Sequence, residues 1–254
     1  MVYFVGAGPG DPDLITVKGA RLIREADIIV YAGSLVNPEL LALAKPGAEI
    51  YNSAAMTLAE VLEVLIRGSR QGKLVVRLHT GDPSLYGAIQ EQLDRLREAG
   101  IPAEVVPGVS SAFAAAAALQ RELTLPGVSQ TVIFTRRGGR TPVPEKESLN
   151  RLACHQATMA IFLSVGQIEA VVAELRAGGY DPETPVAVVQ KASWPDQVVV
   201  RGTLATIARQ VKERGITKTA IILVGEALAT GDYSPSCLYD ASFSHGFREG
   251  KDCG

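Results

Sequence analysis

The sequence predicts an α/β protein of two domains, the first built on a mostly parallel sheet and the second on a mixed one. Three observations predict it. Short β-branched runs alternate with longer amphipathic segments through the first half, the pattern of parallel strands joined by helical crossovers. A second group of strand-like runs follows a Pro-Gly connection and contains a hairpin signature. The 254 residues also suffice for two domains of ordinary size, each burying its own core.

The first strand is read over residues 2–5, followed by a turn rich in Gly and Pro, and the second over 28–31. The segment 58–70 sets Leu58, Val61, Leu62, Leu65 and Ile66 at spacings of three and four. One apolar stripe results, which packs a helix on the sheet. Strands over 74–78 and 103–106 complete the first group, and 112–120 reads as a helix. Thr124-Leu125-Pro126-Gly127 marks the connection. The expected organisation is therefore a first domain over 1–122, a second over 123–240 and a tail over 241–254.

The second group has strand-like runs at 131–134, 158–163, 185–189, 197–201 and 219–224. Residues 186–189 and 198–200 are expected to pair as an antiparallel hairpin across Ser193-Trp194-Pro195-Asp196. A cleft is expected between the domains. The tail carries Leu238, Tyr239, Phe243 and Phe247 among Ser, Gly and charge, which predicts packing on the body or on a partner. No internal repeat or low-complexity tract is visible.

Composition narrows the function. Hydrophobic residues at 47% and charged residues at 20% are those of a folded soluble protein. A net charge of -2 argues against a surface built to neutralise nucleic-acid phosphates. Cys154, Cys237 and Cys253 fit neither a disulfide framework nor a paired zinc motif, so a reducing cytoplasm is expected. His79 and His155 add no metal-ligand pattern, and no bound metal is expected. The N-terminus enters a strand without the features of a signal peptide. Apolar runs such as 112–119 fall short of the roughly 20 residues that span a bilayer, so no membrane segment is expected. There is no Gly-x-Ser-x-Gly elbow and no P-loop, which removes support for covalent acyl chemistry and ATP hydrolysis.

Chemistry then falls to the loops. Gly6-Ala7-Gly8-Pro9-Gly10-Asp11-Pro12 follows the first strand and invites comparison with the dinucleotide fingerprint. The third glycine comes one residue early, Asp11 holds its place, and the second strand ends at Tyr31-Ala32 with no acid for a ribose. A nicotinamide-dependent oxidoreductase is thus the opposed alternative. The third strand runs into His79-Thr80-Gly81-Asp82-Pro83-Ser84-Leu85-Tyr86-Gly87, the leading cofactor loop, because ligands of open α/β sheets bind beyond the carboxyl ends of strands. Asp82 suits either a cation or the cap of the next helix. Pro107-Gly108-Val109-Ser110-Ser111 opens a helix with hydroxyls that serve either a ligand or the N-cap. Arg136, Arg137 and Arg140 beside Gly138 and Gly139 suit carboxylates, the bland alternative being a solvated charge run.

Taken together, VGAGPGDPDLIT, HTGDPSLYG, VPGVSS, the Arg-Gly stretch and Phe162-Leu163-Ser164-Val165-Gly166-Gln167 resemble the class III tetrapyrrole methyltransferases in residue type and order, over nearly the whole chain. Residues 31–38 and 238–245 narrow the resemblance to the branch acting on carbon 11 of precorrin-4 or cobalt-precorrin-4. Relatives acting on uroporphyrinogen III are the nearest alternative. The resemblance implies a homodimer with S-adenosylmethionine in the cleft, leaving as S-adenosylhomocysteine. By motif position it implies cofactor contacts at Pro9, Thr80, Gly81, Asp82, Leu85, Ser110, Ser111, Leu163, Ala192, Thr219 and Ala220. The Gly-Pro loop would face the tetrapyrrole. Because that acceptor bears many carboxylates, Arg136, Arg137, Arg140 and Lys191 are candidates to grip it, and Tyr31, His79 and Asp82 are candidates to take any released proton. An activated sulfonium methyl needs an aligned carbon more than a covalent catalyst.

Overall fold

The computed structural model describes residues 1–33, 35–229 and 233–251. Ser34, of the motif at 31–38, and Cys253 lie outside the described residues. By packing, the chain divides into two compact units, 1–115 with 191–198, and 116–190 with 199–254.

In the first unit the elements run β1 (Val2–Gly6), α1 (Val17–Glu25), β2 (Ile28–Tyr31), β3 (Glu49–Asn52), α2 (Leu58–Arg70), β4 (Val75–His79), α3 (Gln90–Glu98) and β5 (Ala103–Val106). The strands form a parallel sheet in the order β3-β2-β4-β1-β5. Alternate residues serve opposite faces. Val5, Ile29, Val76 and Leu78 pack with Leu22 and Ile23 of α1, whereas Phe4, Val30 and Val75 pack with Leu62 and Leu65 of α2 and Leu96 of α3. The helix starts are chemically set. Thr16 Oγ1 accepts the Gly19 N–H at 3.1 Å to cap α1, and Thr57 with Glu60 forms a capping box on α2.

Two features depart from expectation. The strand β3 is unanticipated: its sequence Glu-Ile-Tyr-Asn is short and half polar, and it lies at the sheet edge with alternate residues exposed. Asp82 does not cap the next helix, because α3 begins only at Gln90. Tyr86 and Ala88, at φ 56° and 50°, prolong the turn before it.

The helix α4 (Ser111–Leu119) leads into the second unit, which continues with β6 (Val132–Arg136), α5 (Leu149–Ala153), β7 (Thr158–Phe162), α6 (Ile168–Ala177), β8 (Pro185–Gln190), β9 (Val198–Thr203), α7 (Ile207–Glu213) and β10 (Ala220–Val224). The sheet order is β6-β7-β10-β8-β9, with β6 parallel to β7 and β10 antiparallel to both its neighbours. This is the mixed sheet expected, with β8 and β9 adjacent. Met159, Ile161, Val188 and Ile222 are fully buried at its centre, with Val171 and Leu175 of α6 and Ile207 of α7. In the tail, the Ser234 N–H donates to the Pro126 carbonyl at 3.3 Å, while Tyr239 and Phe247 stay exposed. Cys154 and Cys237 are exposed thiols. Among the described residues no helix is long and apolar enough to cross a membrane.

Candidate functional site

In the first unit, β1 lies between β4 and β5, so their carboxyl ends emerge side by side: Gly6 pairs with His79, and Val5 with Val106. The neighbours β1 and β4 are followed by helices on opposite faces, α1 and α3. That reversal is the topological switch point at which open α/β sheets bind ligands.

Backbone contacts weld the three loops together. The Ala7 N–H donates to the His79 carbonyl at 2.7 Å, and Gly8 and Gly81 exchange hydrogen bonds at 3.3 and 2.8 Å. Asp82 Oδ1 accepts the Ser84 N–H at 2.8 Å, and Oδ2 accepts the Gly108 N–H at 2.9 Å. Glycine is required by the closeness. A Cβ on Gly6 would lie 2.6 Å from Gly108 Cα and from the Gly81 carbonyl oxygen, and one on Gly108 would lie 2.8 Å from Gly6 Cα. Gly81 itself is left-handed at φ 60°, with no atom closer than 3.9 Å to the place of a Cβ. Thr80 Oγ1 donates to the Leu35 carbonyl at 2.8 Å. Ser110, buried, accepts the Ala112 N–H at 3.3 Å as α4 begins, so the capping role is realised. Asp82 is the single charged side chain among residues 7–10, 80–85 and 108–111.

The proton-acceptor candidates differ sharply. Both oxygens of Asp82 are engaged by backbone N–H groups. Tyr31 is partly buried beneath α1, at the end of β2. His79 is 4% exposed, stacked on Phe4 at 5.9 Å between ring centroids, and its Nε2 has no hydrogen-bond partner among the described residues. Burial, helped by the nearby Arg77 charge, pushes its imidazole down to about 3. Arg77 is itself buried in β4, held by Gln92 Oε1 and the Val30 carbonyl, each at 3.2 Å, and burial lowers it to about 10.

A pH dependence follows with a definite sign. Unfolded His79 gains a proton near 6.5 while the folded residue resists protonation down to about 3, so the unfolded state binds more protons as pH falls through this window. Stability is therefore lost on acidification, by about 2 kcal/mol from this residue between roughly pH 7 and pH 5. Replacing His79 by Gln is expected to flatten that part of the acid-side decline in Tm. An unchanged slope contradicts a neutral buried imidazole.

Residues 191–198 pack with the first unit. Ala192 is buried there, and Lys191 is in an ion pair with Asp196 that holds the Asp196 carboxyl below the usual carboxylate range. Trp194 Nε1 donates to the Pro9 carbonyl at 2.9 Å, and the Asp11 N–H donates to Ser193 Oγ at 3.0 Å. In the sequence Trp194 and Ser193 stand only as turn residues. The available signal was that Trp194 is the sole tryptophan of the chain.

In the second unit, three candidates converge at one end of the mixed sheet. The β7–β10 register pairs Ile161 with Ile222, and continued by two residues it sets Leu163 opposite Ala220, which pairs with Gln190 on its other side. Leu163 and Thr219 are both left-handed at φ 54°, and Leu163 is 69% exposed. Such strain in non-glycine residues concentrates at functional sites. The arginines are unequal. Arg137 is bound by Glu174 at 2.7 Å and by Gln167, and Arg136 donates to the Thr141 and Pro142 carbonyls at 3.1 and 2.8 Å. Arg140 is exposed with no ion pair among the described residues.

The family described as Tetrapyrrole (Corrin/Porphyrin) Methylases matches residues 1–208. A Methanocaldococcus jannaschii protein named cobalt-precorrin-4 C(11)-methyltransferase is 62% identical over 248 residues, 98% of this chain and 96% of its own. A Pseudomonas aeruginosa precorrin-4 C(11)-methyltransferase is 53% identical over 250 residues, 98% and 99% of the two chains. Among solved structures, a cobalt precorrin-4 methyltransferase superposes with a TM-score of 0.88 at 51% identity, covering 90% of this chain and 96% of that one. A Thermus thermophilus uroporphyrin-III C-methyl transferase complexed with S-adenyl homocysteine gives a TM-score of 0.75 at 33% identity, covering 89% and 92%.

Proposed function

Because the chain belongs to the tetrapyrrole (corrin/porphyrin) methylase family, we propose that it transfers the methyl group of S-adenosylmethionine to carbon 11 of precorrin-4 or cobalt-precorrin-4, a step of cobalamin biosynthesis. The observation that carries this reading is 62% identity, along 98% of the chain, to a protein named for that reaction. It is a C-methyltransferase. A homodimer in the cytoplasm belongs to the same proposal.

The loops fit such a cofactor. Asp82 supplies a carboxylate beside which a sulfonium is not repelled, and left-handed Gly81 has no atom closer than 3.9 Å to the place of a Cβ. The α4 N-terminus at Ser110 and Ser111 suits a carboxylate of an amino-acid moiety. Thr80, Leu85 and Pro9 complete the holding set in the first unit, with Ala192 on the segment that packs there. Leu163, Thr219 and Ala220 are the candidates of the second. When bound, the cofactor supplies a methyl group already activated for displacement.

What the chain contributes is position. The Asp82 and glycine contacts fix the loops, and a fixed loop set aligns reactants without moving during the reaction. No covalent nucleophile is required. His79 is neutral and enclosed, and it orders the end of β4 by stacking on Phe4. Arg136, Arg137, Arg140 and Lys191 are the candidate grips for acceptor carboxylates. Of these, Arg140 is the readiest, since the guanidinium of Arg137 and the ammonium of Lys191 are engaged by carboxylates.

Replacing Arg140 by Ala is therefore expected to raise KM for the tetrapyrrole about tenfold, the worth of one charge-assisted hydrogen bond. The dissociation constant of S-adenosylhomocysteine should stay unchanged. Calorimetric titration with S-adenosylhomocysteine tests the cofactor assignment: saturable binding supports it, and none by folded protein removes it.

A further inference from the structure

We infer that Trp194 is a positioning residue: with Ser193 it latches the Pro9–Asp11 turn, and the latch sets how the site aligns its reactants. The inference rests on the methyl-transfer reading and adds a part of the site to it. Three hydrogen bonds converge on three consecutive residues. Trp194 Nε1 donates to the Pro9 carbonyl at 2.9 Å, Asn37 Nδ2 to the Gly10 carbonyl at 2.9 Å, and the Asp11 N–H to Ser193 Oγ at 3.0 Å. The indole also occupies the space a side chain at position 10 would need, since a Cβ on Gly10 would lie 2.8 Å from Trp194 Cγ with other ring atoms nearer. Glycine at this position is thus a matter of the ring's contact, not of backbone conformation.

The segment bearing the ring is itself held in one shape. Lys191 and Ser193 are left-handed at φ 49° and 70°. The Trp194 N–H donates to the Lys191 carbonyl at 2.9 Å, the Ser193 N–H to Gln197 Oε1 at 2.8 Å, and Lys191 pairs with Asp196. Strained residues persist when their surroundings over-determine them, and here they present one polar ring atom to one carbonyl. Trp194 is only partly buried, so its ring is spent on the turn rather than on filling a core. The turn stands at the carboxyl end of β1, at the sheet's switch point, where displacement of backbone by a fraction of an ångström changes how a bound reactant is aligned.

The test uses Trp194→Phe, which keeps a ring and loses the N–H, and Ser193→Ala, which loses only a hydroxyl. In ligand-free protein, amide exchange in the peptide spanning Ala7–Leu14 is expected to quicken about tenfold in Trp194→Phe and about threefold in Ser193→Ala, with β4 peptides unchanged. In turnover, KM for the tetrapyrrole should rise, or kcat fall, by similar factors. Unchanged exchange overturns the latch. Quickened exchange with unaltered kinetics overturns its role in aligning the reactants. Wild-type protein that methylates neither form of precorrin-4 signals failure of the underlying reading instead, and the exchange result still decides the latch.

Discussion

Replacing Gly108 by Ala is expected to lower Tm by about 10 °C and to abolish S-adenosylhomocysteine binding, because the new methyl would meet backbone on two neighbouring loops at once. Its contacts would be the Gly81 carbonyl oxygen and Gly6 Cα, the latter at 2.8 Å. Neither can rotate away as a flexible side chain would. Relief requires the β5 loop to move away from the β1 and β4 loops, at a cost on the order of 3–5 kcal/mol. Gly100→Ala is the control: Gly100 is left-handed at φ 69° but meets nothing within 4 Å. It should cost only about 1 kcal/mol and leave binding intact. Equal losses in the two variants would show that closeness of the loops does not dictate glycine at 108.

Asp82→Ala is the second large effect. The carboxylate accepts the N–H groups of Ser84 and Gly108, so its removal leaves two backbone donors without their partner and unties the β4 loop from the β5 loop. A loss of about 3 kcal/mol is expected, with S-adenosylhomocysteine binding weakened at least about tenfold. Asp82→Asn retains one acceptor oxygen and turns a donor toward the other N–H, so it should fall between wild type and Ala in Tm. If Asp82→Ala binds the cofactor product normally, the carboxylate is not what holds this loop for a ligand.

The central elements were legible in the sequence because their signals are local. Short β-branched runs gave β1, β2, β4 and β5, and the stripe from Leu58 to Ile66 gave α2. The edge strand β3 was not, since it has only four residues, two of them polar, and the exposed Ile50 and Asn52 leave it no buried apolar run. Loops carrying the candidate site were also legible, as Gly- and Pro-rich turns after strands. The purpose of their glycines was not. Gly6 and Gly108 are small because their backbones press on one another, a relation between residues far apart in sequence. Trp194 was missed for the same reason, as its partner Pro9 belongs to the other end of the chain. The left-handed conformations of Leu163 and Thr219 had no signal either, for neither residue type favours that region.

The most direct test of methyl transfer to carbon 11 is to incubate the purified protein with S-adenosylmethionine and precorrin-4, and separately with cobalt-precorrin-4, and to determine the mass and substitution pattern of each macrocycle. One added methyl, on carbon 11, is expected in at least one of the two. Protein that binds S-adenosylhomocysteine yet adds no methyl to either macrocycle, or adds it at another carbon, would contradict it.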